Sequence, residues 1–364
     1  MLIIGWNKTL NFKVVHTNKS IEKPVFVSIV VVMRNEEGNI LSLLEDLSQQ
    51  TYPKTHFELF IIDDFSEDKS KEIVQKYAQN SNFSIILLDN NFDDDISKNI
   101  ISPKKRAISQ AISKAQGEII MCTDADCGVK PTWLAVMADF YLQNDVVCVS
   151  APVYFADASN IFEKMQVVEF ASLVGSGAAC LGLNMPNMCN GANFSYKKSV
   201  FIEVLGYAGV EHLISGDDEF LMHKIAKKFP KKVAFLHDKR VIVSTQAQKT
   251  LSSFINQRKR WASKWQYYEG FAPKILAFFV FLVNLMMLFS GIMTFFDFAF
   301  LIPILIKFVL EFIFLSQILH FFGEKNKIFY IPITFLVYPF YVIFIGIISQ
   351  KKNLKAFSWK NRNF

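Results

Sequence analysis

Three groups of acidic residues and one basic, aromatic group stand along the chain in places where their side chains could do chemistry. They are residues 63–68 (DDFSED), 123–127 (TDADC), 216–219 (GDDE) and 257–261 (QRKRW). The first two groups each follow a short apolar run, at residues 59–62 and 119–122, which is typical of a buried strand. Because open α/β sheets bind ligands beyond the carboxyl ends of their strands, these carboxylates are expected to meet at one sheet edge.

Asp124 and Asp126 carry the hard oxygen ligands that Mg²⁺ or Mn²⁺ prefer. They are two positions apart, so both would point to the same side if the chain stays extended. No GxGxxG or GxxxxGK(S/T) loop follows a strand, so a divalent cation or basic side chains must meet any phosphate charge. A DxD triplet alone is also common in solvated loops. Its place after a buried strand, with a second acidic strand end upstream, favours a metal and a nucleotide diphosphate.

The segments that position these carboxylates alternate between strand and helix patterns. Strands are predicted at residues 27–33, 57–62, 84–88 and 118–123, and helices at residues 39–50, 69–79 and 104–116. Gly117 is interpreted as the stop of the last helix. The polar stretch 89–103, with aspartates at 93–95, is expected to be a solvated loop. The alternation predicts an α/β fold with a Rossmann-like, mostly parallel sheet.

The chain has 364 residues, of which 51% are hydrophobic and 37 are Phe, more apolar than an ordinary soluble protein. The excess is concentrated at residues 275–296, 298–322 and 328–348, each long enough to cross a bilayer core of about 30 Å. The predicted division is an N-terminal segment (1–24), an α/β domain (25–250), an interfacial amphipathic segment (251–274), two or three membrane helices (275–350) and a basic tail (351–364).

The net charge of +6 does not indicate nucleic acid binding, because basic residues flank the apolar segments and no nucleic-acid motif accompanies them. No secretory signal is visible, so the α/β domain is expected on the cytoplasmic face of the membrane. Five cysteines without a CxxC pair indicate reduced core thiols.

Three crossings would place the basic tail outside the cell, against the positive-inside rule. Either one apolar segment does not cross or the tail is exported, and a cytoplasmic tail is favoured. The candidates are residues 298–322, which contain Lys307 and Glu311, and residues 328–348, which contain Pro332 and Pro339.

With these motifs in this order, the sequence resembles the family 2 glycosyltransferases, including membrane-bound members with a QxxRW motif. The resemblance covers about residues 25–265 and is carried by residues 30–36 (VVVMRNE), 62–68 (IDDFSED), 104–108 (KKRAI), 123–126 (TDAD), 190–193 (NGAN), 216–218 (GDD) and 257–261 (QRKRW). It implies a GT-A domain that catalyses metal-dependent, inverting transfer from a nucleotide-diphospho-sugar, with a UDP-sugar favoured.

The resemblance also implies roles for individual residues. Glu36, Asp63 and Asp64 would contact the nucleoside, and Lys104 would lie near the nucleotide. Asp124 and Asp126 would hold the diphosphate through Mg²⁺ or Mn²⁺, with Asp126 the firmest ligand.

Asp218 is the predicted general base. Inversion in a single displacement needs one carboxylate to take the acceptor proton while the leaving diphosphate is neutralised on the opposite side. Partial burial beside Asp217 and Glu219 is expected to raise its pKa by like-charge repulsion. The alternative is a structural helix cap, for which Ser215 or Asp217 is the expected residue, and both roles are compatible.

By the same resemblance, Arg260 would lie against the diphosphate, and Trp261 would stack on the acceptor; Gln257 completes the motif. The structural alternative is an interfacial helix with a Trp anchor. Residues 190–193 could approach the donor or form an ordinary turn. The small residues 175–179 are interpreted as helix packing rather than as an acceptor channel.

The function predicted from the sequence is transfer of sugar to a lipid-linked or membrane-proximal acceptor by an integral membrane protein. A processive polysaccharide synthase is the alternative, disfavoured because at most three spans leave little material for a pore. A non-catalytic membrane scaffold is a further alternative, and the intact acidic residues argue against it.

Overall fold

The computed structural model describes residues 1–12, 23–90, 101–268, 271–350, 358–359 and 362–363. The chain divides into two compact units. The sheet unit contains Met1–Ala156 and Ser176–Gln246, and the helical unit contains Asp157–Gly175 and Ala247–Phe364. The domain boundaries expected from the sequence remain predictions.

The strands are β1 (Val27–Met33), β2 (Phe57–Asp63), β3 (Ser84–Asp89), β4 (Ile119–Asp124), β5 (Cys148–Ser150), β6 (Val153–Ala156), β7 (Phe194–Lys197), β8 (Val233–Phe235), β9 (Val243–Gln246), β10 (Ser358–Trp359) and β11 (Arg362–Asn363). The α-helices are α1 (Leu2–Lys8), α2 (Ile40–Ser48), α3 (Ser70–Ala78), α4 (Pro103–Lys114), α5 (Trp133–Gln143), α6 (Ile161–Gly182), α7 (Lys198–Glu203), α8 (Glu219–Lys228), α9 (Leu251–Ala262), α10 (Phe271–Met293), α11 (Leu301–Phe322) and α12 (Ile331–Gln350).

Within the described residues, the main sheet has seven strands in the order β3-β2-β1-β4-β7-β5-β8. The pairs β3-β2, β2-β1, β1-β4 and β5-β8 are parallel, whereas β7 runs antiparallel to β4 and β5. A parallel pair of β6 and β9 lies outside this sheet. The fold is therefore α/β with a mostly parallel sheet, as predicted.

The local patterns explain the central strands. Every residue of β1 and β2 is buried, which is why both read as unbroken apolar runs rather than as alternating ones. The helices between them are amphipathic, and α2 buries Ile40, Leu43, Leu44 and Leu47. The predicted strands and helices from residue 27 to residue 124 are confirmed to within a few residues.

The interpretation of Gly117 as a helix stop was wrong, because α4 ends at Lys114 and Ala115 is its C-cap. A Cβ atom at Gly117 would lie 2.3 Å from the backbone nitrogen of Ser28, so this position needs glycine for close backbone approach. The predicted loop at 89–103 is also only partly right. Asp89 ends β3 and Asn90 is fully buried, while the aspartates at 93–95 lie outside the described residues.

Among the described residues, four helical segments are long and apolar enough to cross a membrane: Ile161–Gly182, Lys274–Met293, Phe298–Phe322 and Lys325–Ile348. The last three match the predicted apolar segments, and the first was not predicted from the sequence. Lys307 and Glu311 form an ion pair of 2.6 Å one helical turn apart. Pro339 lies inside α12, and the helix continues through it.

Candidate active site

Two predicted site residues, Asp63 and Asp124, lie at the ends of strands β2 and β4, which flank β1 in the sheet unit. In the parallel register, Met33 of β1 aligns with Asp63 of β2, and Val32 of β1 aligns with Asp124 of β4. Neighbouring strands are about 4.8 Å apart, so the backbones of Asp63 and Asp124 lie about 10 Å apart across β1. This places both acidic groups at the carboxyl edge of the sheet, where ligands of such sheets bind.

Asp64 is fully buried in a hydrogen-bonded network behind this edge. Its Oδ1 accepts from Asn90 Nδ2 at 2.6 Å, and Asn90 Oδ1 accepts from Arg106 Nε at 2.9 Å. Arg34, which directly follows β1, donates from Nη1 to the carbonyl of Asp64 at 2.8 Å and from Nη2 to Glu67 Oε1 at 2.8 Å. The end of β1 thus holds the acidic loop after β2 in a defined conformation.

Asp63 and Glu36 are also engaged within the loops that follow β2 and β1. Both Asp63 oxygens accept from the backbone N–H of Ser66 at 3.3 Å. The backbone N–H of Glu36 donates to Ser70 Oγ at 2.7 Å, and Glu36 Oε2 accepts from Asn39 Nδ2 at 2.8 Å. Both side chains are buried.

Asp124 and Asp126 are brought together by a turn rather than by an extended strand. Strand β4 ends at Asp124, residues 125–126 form a turn, and Cys127 N donates to Asp124 O at 3.2 Å. One ligand atom from each of Asp124, Asp126 and Cys127 lies within 4.8 Å of the other two. The chain is not extended at Asp126, yet the carboxylates of Asp124 and Asp126 are neighbours.

Lys104, near the N-terminus of α4, joins two of the acidic groups. Its Nζ lies 2.7 Å from Asp124 Oδ1 and 3.4 Å from Asp217 Oδ2. Burial opposes the charge on this ammonium, but the carboxylates of Asp124 and Asp217 outweigh burial and raise the pKa of Lys104 above its ordinary value. Lys104 therefore stays protonated and offsets part of the carboxylates' mutual repulsion.

Asp218 is itself the N-cap of α8, so the expectation that Ser215 or Asp217 would cap this helix was wrong. Its Oδ1 accepts from the backbone N–H of Glu219 at 2.7 Å, and its Oδ2 accepts from that of Gly191 at 2.8 Å. A loop 27 residues upstream thus helps to orient the carboxylate. Two backbone donors fix its rotamer, which is the preorganisation that a proton acceptor needs.

Residues 190–193 make the turn that presents this donor. The side chain of Asn190 accepts from Ala192 N at 3.0 Å, and Gly191–Asn193 form one turn of 3₁₀ helix. Asn193 is buried, donates to the carbonyls of Pro152 and Val241, and accepts from Trp133 Nε1 at 3.0 Å. Trp133 is fully buried.

Family models cover most of the chain. Residues 28–205 match the model for glycosyl transferase family 2, and residues 119–347, more than half of the chain, match that for glycosyl transferase family group 2. The chain belongs to the family 2 glycosyltransferases. The fold is that of GT-A enzymes, as predicted.

The chain is similar to lipid and polysaccharide synthases. It is 31% identical over 158 residues to the beta-monoglucosyldiacylglycerol synthase of Nostoc sp., covering 43% of this chain and 32% of that protein. It is 24% identical over 241 residues to the poly-beta-1,6-N-acetyl-D-glucosamine synthase of Staphylococcus epidermidis, covering 65% of this chain and 53% of that one. The chain thus spans about a third and about half of these relatives.

A solved structure shares the fold over nearly the whole chain. It is a mannosyltransferase from Pyrobaculum calidifontis in complex with GDP-Man and Mn²⁺. The TM-score is 0.56 at 16% sequence identity, and the match covers 92% of this chain and 94% of that one.

The sheet unit offers a group of ligand atoms that fits a hard divalent cation. Asp124 is half-buried and Asp126 is exposed, and their carboxylate oxygens suit Mg²⁺ or Mn²⁺. Burial, and then the charge of Asp126, raises the pKa of the Cys127 thiol. A thiol is a soft donor that such cations do not favour. The two carboxylates are therefore the ligands that this site offers.

The residues of the QxxRW motif lie in the helical unit. Gln257, Arg260 and Trp261 belong to α9, and all three are partly buried. The Trp261 ring lies 5.9 Å from that of Phe170. In the sheet unit, by contrast, Lys104, Asp124, Asp126, Asp217 and Asp218 form one charged cluster.

The sequence did not predict the contacts that Arg34, Asn90, Cys127 and Gly191 make in this site. Arg34 and Asn90 each directly follow a strand, so the rule that pointed to the acidic groups would also have found them. Cys127 directly follows the DxD triplet. Nothing in the sequence near Gly191 indicates its contact with Asp218.

Proposed function

We propose that this protein is a membrane-anchored, metal-dependent, inverting glycosyltransferase that moves a sugar from a nucleotide-diphospho-sugar to a lipid-linked or membrane-proximal acceptor. The observation that carries the proposal is the contact of Lys104 with both Asp124 and Asp217, because it joins the DxD triplet to the Asp218 group. The proposed cation ligands and the proposed base therefore belong to one charged cluster.

On the donor side, Asp124 and Asp126 would hold Mg²⁺ or Mn²⁺, which would offset the charge of the leaving diphosphate. The Mn²⁺ and GDP-Man in the mannosyltransferase of the same fold support this assignment. Glu36, Asp63 and Asp64 are proposed to shape the nucleoside site, because they lie at the neighbouring ends of β1 and β2. Lys104 would add a fixed positive charge near the nucleotide.

On the acceptor side, Asp218 would act as the general base. The acceptor hydroxyl gives its proton to the carboxylate as its oxygen bonds to the anomeric carbon, and the bond from that carbon to the diphosphate oxygen breaks. The N–H groups of Gly191 and Glu219 hold the carboxylate in place for this transfer. No covalent enzyme intermediate is required, so the anomeric centre inverts.

The helical unit is proposed to anchor the protein in a membrane. Large apolar side chains of α10 and α11 stay exposed, among them Phe278, Phe289 and Ile306, and Phe298 just before α11 is 81% exposed. Apolar surface of this extent is suited to lipid rather than to water. The sheet unit is proposed to face the cytoplasm, with a UDP-sugar as the favoured donor.

The motif in α9 is proposed to serve the acceptor side. Trp261 offers an aromatic face to a sugar or lipid headgroup, Gln257 would contact the acceptor beside it, and Arg260 would contact the diphosphate. The support is their placement on one amphipathic helix of the membrane-anchoring unit.

A processive polysaccharide synthase is the second candidate, because the match to the staphylococcal poly-N-acetylglucosamine synthase covers 65% of this chain. The two activities differ in product length. A non-catalytic scaffold is disfavoured by the retained cluster of mutually repelling carboxylates.

The test is transfer by the full chain purified in detergent. UDP- and GDP-sugars are supplied with Mn²⁺ or Mg²⁺, and dioleoylglycerol or a total lipid extract serves as acceptor. Mass spectrometry of the products is expected to show lipids carrying one or a few added sugars. Long glycan chains would establish the second candidate instead, and the absence of both transfer and donor hydrolysis across the panel would refute an enzymatic function.

A further inference from the structure

Helix α9 contains a buried arginine, Arg258, beside the residues that are proposed to contact the substrate. The proposed function does not account for the contacts of this arginine. The side chain of Arg258 is only 2% exposed, and that of Glu169 in α6 is 6% exposed. Arg258 Nε donates to Glu169 Oε1 at 3.0 Å, and Nη2 donates to Oε2 at 2.5 Å. A two-point contact between a planar guanidinium and a carboxylate fixes the orientation of both groups.

The same guanidinium lies against two aromatic rings of its own helix. Its Cζ atom is 4.6 Å from the ring centroid of Phe254 and 4.2 Å from that of Trp261. Residues 254, 258 and 261 lie four and three positions apart, so they form one stripe along α9. Both distances are within the range of cation–π attraction, which strengthens when the cation is shielded from water.

Arg258 also contacts the first residue of the motif. Its Nη1 donates a hydrogen bond to Gln257 Oε1. One guanidinium therefore contacts both Gln257 and Trp261, which flank it at the two ends of the QxxRW motif. Removing or tilting the guanidinium would release both side chains at once.

The partner of Arg258 is itself held by neighbouring helices. Tyr341 of α12 donates from its hydroxyl to Glu169 Oε1 at 3.4 Å. Phe170, the residue after Glu169, places its ring 5.9 Å from that of Trp261. Helix α6 thus supports the indole directly and, through Arg258, indirectly.

We propose that Arg258 is the positioning residue of the acceptor-side motif, and that Glu169 holds it in the orientation that aims Gln257 and Trp261. The inference rests on the proposed function, in which those two residues act on substrate. Arg258 is too buried to contact a sugar or a diphosphate and acts through its neighbours. An ion pair that only stabilised the fold would leave the transfer kinetics of the folded protein unchanged.

The test uses the full chain in nanodiscs and two conservative variants, Arg258→Lys and Glu169→Gln. Lysine keeps the charge but lacks the planar fork, and glutamine keeps the shape but lacks the charge. The matched control is Glu311→Gln, which also removes a carboxylate from an ion pair of the helical unit. Transfer from UDP-glucose or UDP-N-acetylglucosamine to dioleoylglycerol gives kcat and KM, and UDP titration reports the donor site.

We expect both variants to lower kcat/KM for dioleoylglycerol at least tenfold while UDP affinity changes less than twofold. The Glu311→Gln control should match the wild type in both. A second readout is the tryptophan fluorescence spectrum of each protein minus that of its Trp261→Phe counterpart. This difference spectrum should shift in Arg258→Lys and Glu169→Gln, because the cation beside the indole of Trp261 moves. The measurement does not depend on whether the protein transfers sugar.

Wild-type kcat/KM in the folded Arg258→Lys and Glu169→Gln proteins would overturn the inference and leave the proposed function standing. If the wild type transfers no sugar, the proposed function fails separately, and an unchanged difference spectrum would then refute the positioning contact as well. Should both variants fail to fold, Tyr341→Phe removes only one hydroxyl from Glu169. A smaller loss of kcat/KM in the same direction supports the inference, and unaltered kinetics and spectrum refute it.

Discussion

Replacing Asp218 by asparagine tests whether its carboxylate acts in catalysis or only caps helix α8. Asparagine is as good an N-cap as aspartate, so α8 should keep its start. The two carboxylate oxygens of Asp218 accept from Glu219 N and Gly191 N, whereas asparagine has one acceptor oxygen, so one hydrogen bond becomes neutral and the other is lost. The cost is about 1–2 kcal/mol, which corresponds to a decrease of about 2–8 °C in Tm for a domain of this size.

The expected effect on catalysis is much larger than the effect on stability. A positioned general base contributes about 10²–10⁴ in rate, which is about 3–5 kcal/mol of transition-state stabilisation. Asp218→Asn should therefore lower kcat by at least a hundredfold. Donor binding should be nearly unchanged, because Asp218 lies on the acceptor side of the proposed site.

The assay compares kcat for sugar transfer, UDP affinity in the presence of Mn²⁺, and Tm. Asp238→Asn is the matched control, since Asp238 also caps a helical turn by accepting from a backbone N–H, at 2.8 Å from Arg240 N, and lies outside the charged cluster. The control should transfer sugar at the wild-type rate. A kcat for Asp218→Asn within about threefold of the wild type would refute the assignment of the base.

Three further outcomes are expected. Asp126→Ala should weaken Mn²⁺-dependent UDP binding at least tenfold, measured by calorimetry, and an affinity equal to that of the wild type would exclude Asp126 as a ligand. Lys105→Met should destabilise the protein by about 2–5 kcal/mol, seen as a lower Tm, because the buried ammonium donates to the carbonyls of Val210 and Leu213 at 2.8 Å; an unchanged Tm would contradict this. Burial lowers the pKa of His237 from 6.5 to about 4, so the folded state favours the neutral ring. The contribution of His237 to the free energy of unfolding is therefore largest above pH 6.5 and decreases by up to about 3 kcal/mol as the pH falls to 4. Tm should decrease over that window, and His237→Gln should flatten the decrease.

Much of the sheet could be predicted because its signals are local. The strand at residues 27–33 was predicted with its observed bounds, since a strand buried on both faces needs an unbroken apolar run. The acidic residues at the ends of β2 and β4 could also be predicted, because each follows an apolar run and parallel strands bring their carboxyl ends to one edge of the sheet. The three C-terminal apolar segments followed from length and hydropathy.

What the sequence could not determine are contacts between residues far apart along the chain. The antiparallel insertion of β7 between β4 and β5, the N–H of Gly191 on Asp218 and the pairing of Arg258 with Glu169 have no local pattern. Such contacts depend on which elements pack together, and that choice is made by the total burial and hydrogen bonding of the folded chain. The amino-acid sequence by itself therefore determined the kinds of reacting groups and the elements that carry them. Only the tertiary structure decided which backbone and side-chain groups hold them in place, because those partners are set by packing over separations of 27 and 89 residues.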